Sequence, residues 1–399
     1  MSQVIIYGAV ADRRESPTLA RIAQRIRVYR HLTRDLRSVR RFDTSGIDFR
    51  NFISTLPENI GDVAIAETVV RLVRQIRPEV RIVPCNWGEL GATGMHSLGP
   101  DDILIVAGSG YFAFDQDGRL PPRVADDLAR MNQSTCMVVV LGVGANRPGS
   151  GHPGAGIPID AIADRQLIRS VLLRASRVSV RDDFSLQLLS GAGGADVSMI
   201  GDPALHFASV FGDAIPEIDR TDDVPIVGIN FSFHGPNSTA LLRENLIIYS
   251  EALLEIQRCL KCRYKYFVHF PTEVVIPAYL NALGVHTEVV QGEPLALVRE
   301  YNGVDLHIAG MLHSSILAAS VDTPCIALAY DIKHGGFFDL FGLGEYCLPA
   351  SGISKDALVE RCLHAFGRRD EIRATIHGRR LELENATKRF LSSSIGRAP

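Results

Sequence analysis

Three side chains able to do chemistry, His313, Asp331 and Lys333, follow two consecutive strand-like segments. An imidazole, a carboxylate and an ammonium group at one edge could move a proton and hold an anion. His313 lies in Met311-Leu312-His313-Ser314-Ser315, between the alternating apolar segment 304–309 and a small-residue helix expected over 316–320. That position is the C-terminal edge of a sheet and the start of a helix, where outward-pointing backbone N–H groups favour an anion. The apolar segment 325–329 delivers Tyr330-Asp331-Ile332-Lys333-His334 to the same edge. Taken singly, His313 reads as a helix cap and Lys333 as a solvated loop lysine. On adjacent strand ends they read as one site.

Other segments offer partners for such a site. Asn59-Ile60-Gly61-Asp62 precedes a periodic helix over 63–77, with Asp62 placed to cap it and Gly61 allowing a tight turn. The continuous apolar run 102–107 reads as a buried parallel strand that empties into Gly108-Ser109-Gly110, with a helix expected to follow. A G-x-G without its third glycine and downstream acid is weak evidence for a dinucleotide site, and serves a sugar or phosphate equally well. Arg181, at the end of the strand 178–180, is able to grip a carboxylate or phosphate with two nitrogens, or to pair with Asp182 at the surface. The glycine- and proline-rich stretch 142–158, which carries Arg147, reads either as a lid or as a surface excursion. His234 sits in a loop after the strand 226–231.

Positioning these groups requires repeated strand–helix units, and the chain has length for two of them. At 399 residues, 46% hydrophobic, it suits two domains with ample cores. The alternation restarts at residue 226, so the expected architecture is α/β: two doubly wound Rossmann-like domains facing a cleft, with a C-terminal helix. Domain bounds are expected at 1–211 and 226–375, with a linker over 212–225 and the final helix, 376–399, free to pack back on the first domain. Residues 19–39 read as one or two arginine-rich amphipathic helices, whose basic face is either solvated or attracted to an anionic surface. A net charge of −3 argues against a nucleic-acid partner that needs bulk positive charge. No signal-like leader and no apolar run of membrane length is seen, and seven scattered cysteines fit reduced thiols, so a cytoplasmic location is expected. Cys259 and Cys262 form a lone C-x-x-C, read as buried thiols, and no metal-ligand cluster is visible.

In order and spacing, these motifs resemble the polysaccharide pyruvyl transferase family. The resemblance runs from about Asn59 to about Gly344 and rests on N-x-G-D (Asn59 to Asp62), the glycine cluster at 108–110, R-D-x-x-S (Arg181 to Ser185), D-P-A (Asp202 to Ala204), Leu312-His313 and Y-D-x-K (Tyr330 to Lys333). It implies a GT-B-like fold and transfer of a pyruvyl group from phosphoenolpyruvate to two hydroxyls of a sugar, giving a cyclic ketal. Phosphoenolpyruvate is then a co-substrate, and no cofactor or metal is implied. On this resemblance His313 and Arg181 are catalytic, and Leu312, Ser314, Asp331, Lys333 and His234 bind the donor in the second domain. Asn59, Gly61, Asp62, Gly108, Ser109, Gly110 and Arg147 face a sugar or lipid-linked glycan acceptor in the first. A homo-oligomer is left open. Where the family carries an arginine two residues before the histidine, this chain has Met311, which implies one anion contact fewer. Two alternatives stand beside this: a GT-B-like glycosyltransferase using a nucleotide-sugar, and a non-catalytic carbohydrate-binding relative.

Overall fold

The computed structural model describes residues 3–8, 18–53, 59–91, 98–114, 119–146, 164–192, 196–216, 224–235 and 238–396. Two parallel sheets of six strands each organise them. The first contains β1 (Gln3–Gly8), β2 (Arg81–Asn86), β3 (Ile103–Ala107), β5 (Met137–Val143), β7 (Arg177–Val180) and β8 (Val197–Met199), in the order β2-β1-β3-β5-β7-β8. Two short strands, β4 (Phe112–Ala113) and β6 (Ala145–Asn146), pair at its edge. The second sheet contains β9 (Ile226–Asn230), β10 (Arg263–Phe267), β11 (Thr287–Val290), β12 (Leu306–Ala309), β13 (Cys325–Ala329) and β14 (Cys347–Pro349), in the order β11-β10-β9-β12-β13-β14. β3 and β13 are buried along their whole length, as unbroken aliphatic runs covered on both faces must be. Strand order reverses between β1 and β3 in one sheet and between β9 and β12 in the other. Ligands of open parallel sheets bind at such reversals, beyond the C-terminal strand ends.

Helices cover the sheets: α1 (Thr18–Val39), α2 (Ile60–Ile76), α3 (Pro122–Gln133), α4 (Arg165–Arg174), α5 (Asp183–Ala192), α6 (Phe207–Phe211), α7 (Ser238–Leu260), α8 (Val275–Ala282), α9 (Pro294–Asn302), α10 (Leu312–Ala319), α11 (Ile332–Leu340), α12 (Lys355–Gly367) and α13 (Arg369–Ile395). The halves are not separated by solvent throughout. One continuous apolar core joins Ile65, Val69 and Leu205 of the first half to Leu312, Ile316 and Leu383 of the second. α2 packs on α9 and α10, and α13 returns to the first half, where Thr387 Oγ1 lies 3.0 Å from His206 Nε2. The far face of the first sheet has a core of its own around Val106, Val140 and Leu172.

Four local expectations are corrected. α2 starts three residues early: Asn59 is its cap, accepting from the Gly61 N–H at 3.0 Å, and Asp62 sits in the first turn. α10 starts at Leu312, so His313 lies inside the helix. The glycine cluster after β3 leads into β4, because its backbone pairs with the neighbouring strand end: Gly144 N–H donates to the Ser109 carbonyl at 2.8 Å and Phe112 N–H to that of Gly144 at 3.1 Å. Cys262 is a buried thiol as expected, but Cys259 is exposed near the end of α7. No helix among the described residues is long and apolar enough to cross a membrane.

Candidate functional site

His313 stands at the junction of the halves, on the first turn of α10 and 7% exposed. Its ring lies close against Gly61 at the start of α2. A Cβ on Gly61 would fall 2.1 Å from His313 Cγ, so only glycine lets the two helix starts meet this closely. The Ile60 N–H donates to the His269 carbonyl at 3.1 Å and ties the start of α2 to the other half. Gly61→Ala should therefore displace the imidazole and lose about 1 to 3 kcal/mol of stability by overpacking. A urea titration beside an activity assay checks both.

Carboxylates surround the imidazole. Asp202, after β8, is 1% exposed and its Oδ2 lies 3.8 Å from His313 Nε2, too far for a hydrogen bond. His313 Nε2 is buried without a hydrogen-bond partner among the described residues. Burial would raise the Asp202 carboxyl, but the nearby His313 and Arg181 outweigh it and hold it below the usual carboxylate range. Asp62 accepts from Asn59 Nδ2 at 2.8 Å and from Ser109 Oγ at 3.2 Å. Removal from bulk water raises its carboxyl, against the pull of His313. Ser109 holds a left-handed φ of 59°, a strained conformation for a non-glycine residue at a strand end.

Arg181 is buried, and its surface-pair reading is corrected. Its Nε donates to Asp182 Oδ2 at 3.3 Å, Nη1 to Asp202 Oδ2 at 3.4 Å and Nη2 to Asn146 Oδ1 at 3.1 Å. Its guanidinium passes so close to Gly144 that a Cβ there would lie 2.2 Å from Nε. Asp182 is itself fixed by the Ser185 N–H at 2.8 Å and hydroxyl at 2.6 Å, which explains the R-D-x-x-S spacing.

From the other half, α11 brings Asp331, Lys333 and His334 to the same place. Asp331 caps the helix through the Lys333 N–H at 3.2 Å, while its Oδ2 is buried with no partner among the described residues. Burial raises this carboxyl, opposed by Lys333 and by Arg181. Lys333 Nζ is half-buried, 5.0 Å from the centre of the Tyr330 ring. His334 is fully buried with neither ring nitrogen bonded among the described residues. Its pKa is pushed well down, first by burial and then by Lys333, Arg181 and His313, so the ring is a neutral hydrogen-bonding group at the site. Nothing in the sequence distinguished it from an ordinary helix residue.

A second group was missed. Glu273 is fully buried beyond the end of β10, and its Oε2 accepts from the His269 N–H at 2.9 Å, the Phe270 N–H at 3.2 Å and Asn230 Nδ2 at 3.2 Å. Its Oε1, Asn230 Oδ1 and His269 Nδ1 have no partner among the described residues. Burial raises Glu273 to about 7, against the nearby Ser232 hydroxyl and the bonds from His269, Phe270 and Asn230. A carboxyl raised this way keeps its proton in the fold while the unfolded chain loses it. Its contribution to stability is therefore full in acid and declines by on the order of 3 kcal/mol as pH rises from about 4.5 to about 7. In Glu273→Gln that decline should vanish, which urea midpoints across this range will read.

Not every candidate joins the cluster. Leu312 is in the apolar core, and Ser314 is buried at 2.5 Å from His307 Nε2, because a helical first turn sends these neighbours of His313 inward. His234 stacks on Phe270 at 3.9 Å with Nε2 3.0 Å from Thr272 Oγ1, and burial lowers its pKa to about 3. The Gly108 N–H is spent on the Leu141 carbonyl, and Gly110 lies against the Asn146 amide. Arg147 and most of the stretch 142–158 lie outside the described residues. No group of three or more metal-ligating side chains occurs among the described residues.

In overall structure the chain is similar to a Listeria monocytogenes protein assigned as a UDP-N-acetylglucosamine 2-epimerase, with a TM-score of 0.53 at 11% identity over 84% of this chain and 95% of that one. It is also similar to S. aureus MnaA in a co-structure with UDP, with a TM-score of 0.50 at 10% identity over 84% and 96% of the two chains. At such identities the likeness speaks for the fold alone, the two-domain α/β fold of GT-B enzymes. No curated protein matches by sequence. The profile described as polysaccharide pyruvyl transferase matches residues 59–332, from the cap of α2 to the first residue of α11. With its motifs drawn around one histidine at the domain junction, the chain belongs to the polysaccharide pyruvyl transferase family.

Proposed function

We propose that this protein transfers the pyruvyl group of phosphoenolpyruvate to two hydroxyls of a sugar in a glycan or glycoconjugate precursor, forming a cyclic ketal. The observation that carries this reading is the convergence of Arg181, Lys333 and His334 beside His313, whose Nε2 is buried and without a partner among the described residues. Phosphoenolpyruvate presents a carboxylate, a phosphate and a methylene carbon that must be protonated. In our reading Arg181 and Lys333 hold the two anionic groups and His334 donates a neutral hydrogen bond to one of them. These groups stand in for the cation that Met311 does not supply; Met311 is 5% exposed. His313 delivers a proton to the methylene carbon, turning it into a methyl group, with Asp202 stabilising the imidazolium beforehand. One acceptor hydroxyl bonds to the central carbon, the carbon–oxygen bond to phosphate breaks, and the second hydroxyl closes the ketal. Of the two hydroxyl protons, one replaces that given up by His313 and the other leaves with phosphate. Asp62, which bonds to Ser109 and feels the charge of His313, receives one of them in this reading.

The cysteines support a reducing, cytoplasmic setting, all seven being free thiols. The acceptor, lipid-linked or free, lies on the side of the first half in this reading. A nucleotide-sugar donor is the competing reading, and it would have to occupy the crevice at the strand reversal of the second sheet, lined by Phe231, Ser232, Ser238, Gly310 and Tyr330. The test is an incubation with phosphoenolpyruvate and a pool of glycan precursors. Inorganic phosphate should appear only when both are present, together with an acid-labile ketal in the carbon NMR spectrum of the product. Phosphate release without a ketal, or a ketal formed without phosphoenolpyruvate, would overturn the assignment.

A further inference from the structure

α1 buries one face and leaves a second apolar face in solvent. The inner face is accounted for by the fold: Val28, Leu32, Leu36 and Val39 pack on the shared core, and Asp35 Oδ2 accepts from Tyr279 Oη of α8 at 3.2 Å. The outer face carries Ile22, Ile26 and Tyr29, which are 46%, 64% and 70% exposed. Their i, i+4, i+7 spacing puts all three on one side of the helix. Nothing in the fold requires them there.

The charge around this stripe identifies what it fits. Arg21, Arg25, Arg27, Arg30, Arg34, Arg37, Arg40 and Arg41 crowd residues 21–41, against a single acid, Asp35. Arg34 is paired with Asp35 and Arg27 donates to the Ile53 carbonyl. Arg25, Arg30, Arg37, Arg40 and Arg41 are exposed, and among the described residues their side chains have no hydrogen bond or ion pair. At the helix end Phe42 is 57% exposed at a left-handed φ of 57°, a costly conformation for a bulky side chain that core packing does not explain. An apolar and aromatic stripe flanked by unpaired arginines complements a surface that is negative at its face and apolar just beneath. Arginine stems cover apolar ground while their heads stay with phosphates.

We propose that α1 docks the protein on an anionic lipid bilayer surface, with Ile22, Ile26 and Tyr29 entering the headgroup boundary and Arg25, Arg30 and Arg37 pairing with lipid phosphates. The attachment is interfacial and reversible, and independent of the reaction assigned above. Co-sedimentation of the full chain with vesicles tests it. Phosphatidylcholine vesicles containing phosphatidylglycerol should pull the protein down, pure phosphatidylcholine vesicles should not, and added salt should weaken the attachment. Arg30→Gln with Arg37→Gln should weaken it by about 30-fold, at roughly fivefold per arginine. Ile22→Ser with Ile26→Ser and Tyr29→Ser should abolish it. All five side chains changed are solvent-facing, so melting temperatures should match the parent. The proposal is overturned if the parent ignores phosphatidylglycerol vesicles or if both variants bind as the parent does. It is equally overturned if the parent is a concentration-dependent oligomer that the serine variant dissociates, since the face is then a contact between copies.

Discussion

His313→Gln should lower ketal formation by about 10²- to 10⁴-fold, the range that a positioned general acid contributes, while leaving the fold intact. Glutamine keeps a polar end of similar reach but cannot deliver a proton to carbon. The substitution is structurally mild for a definable reason. Among the described residues His313 Nε2 makes no hydrogen bond, and its 3.8 Å separation from Asp202 is an ion-pair distance only. A merely structural histidine, such as a satisfied helix cap, would behave oppositely: stability would fall and activity per folded molecule would survive. Rate constants with saturating donor, beside a melting curve, separate the two cases.

Arg181→Ala should be the most damaging single change to the site's stability. Its guanidinium is 4% exposed and bridges Asp182, Asp202 and Asn146, so truncation leaves buried carboxylate charge without its cation. Losses of about 3 to 5 kcal/mol follow from breaking a buried pair on one side. The pH dependence carries a signature. A carboxyl held below its ordinary value, as Asp202 is, adds stability above the ordinary aspartate range and loses it as pH falls through its folded pKa. Without Arg181 that contribution shrinks, so parent and variant should differ most near neutrality and converge in acid. Arg181→Lys should recover only part of the loss, since one ammonium group cannot meet three acceptors on different sides as the planar fork does. Denaturant midpoints over a pH series will read this.

Much of the architecture could be read from periodicity. The unbroken aliphatic runs 102–107 and 325–329 became the buried strands β3 and β13, and the restart of the alternation near residue 226 is where the second sheet begins. The convergence of His313 with Asp331 and Lys333 followed from placing both segments beyond adjacent strand ends. What escaped the sequence is three-dimensional in origin. That Gly61 exists to admit the His313 ring requires knowing that α2 and α10 meet end to end. Asp202 and Arg181, twenty-one residues apart, become partners only because β7 and β8 lie side by side. Glu273 reads as a loop residue after Pro271, and only three converging donors mark it as special. Leu312 and Ser314 were drawn in by proximity to His313 along the chain, yet helical geometry points them away from it.

Phosphoenolpyruvate is the donor proposed to sit at Arg181, Lys333 and His313. Calorimetric titration of phosphoenolpyruvate and of UDP into the parent and into Lys333→Ala tests it most directly. The account predicts that phosphoenolpyruvate binds the parent, that UDP gives no heat of binding, and that Lys333→Ala weakens the donor by roughly 10- to 150-fold through loss of one charge-assisted contact. Binding of UDP with no binding of phosphoenolpyruvate would contradict it.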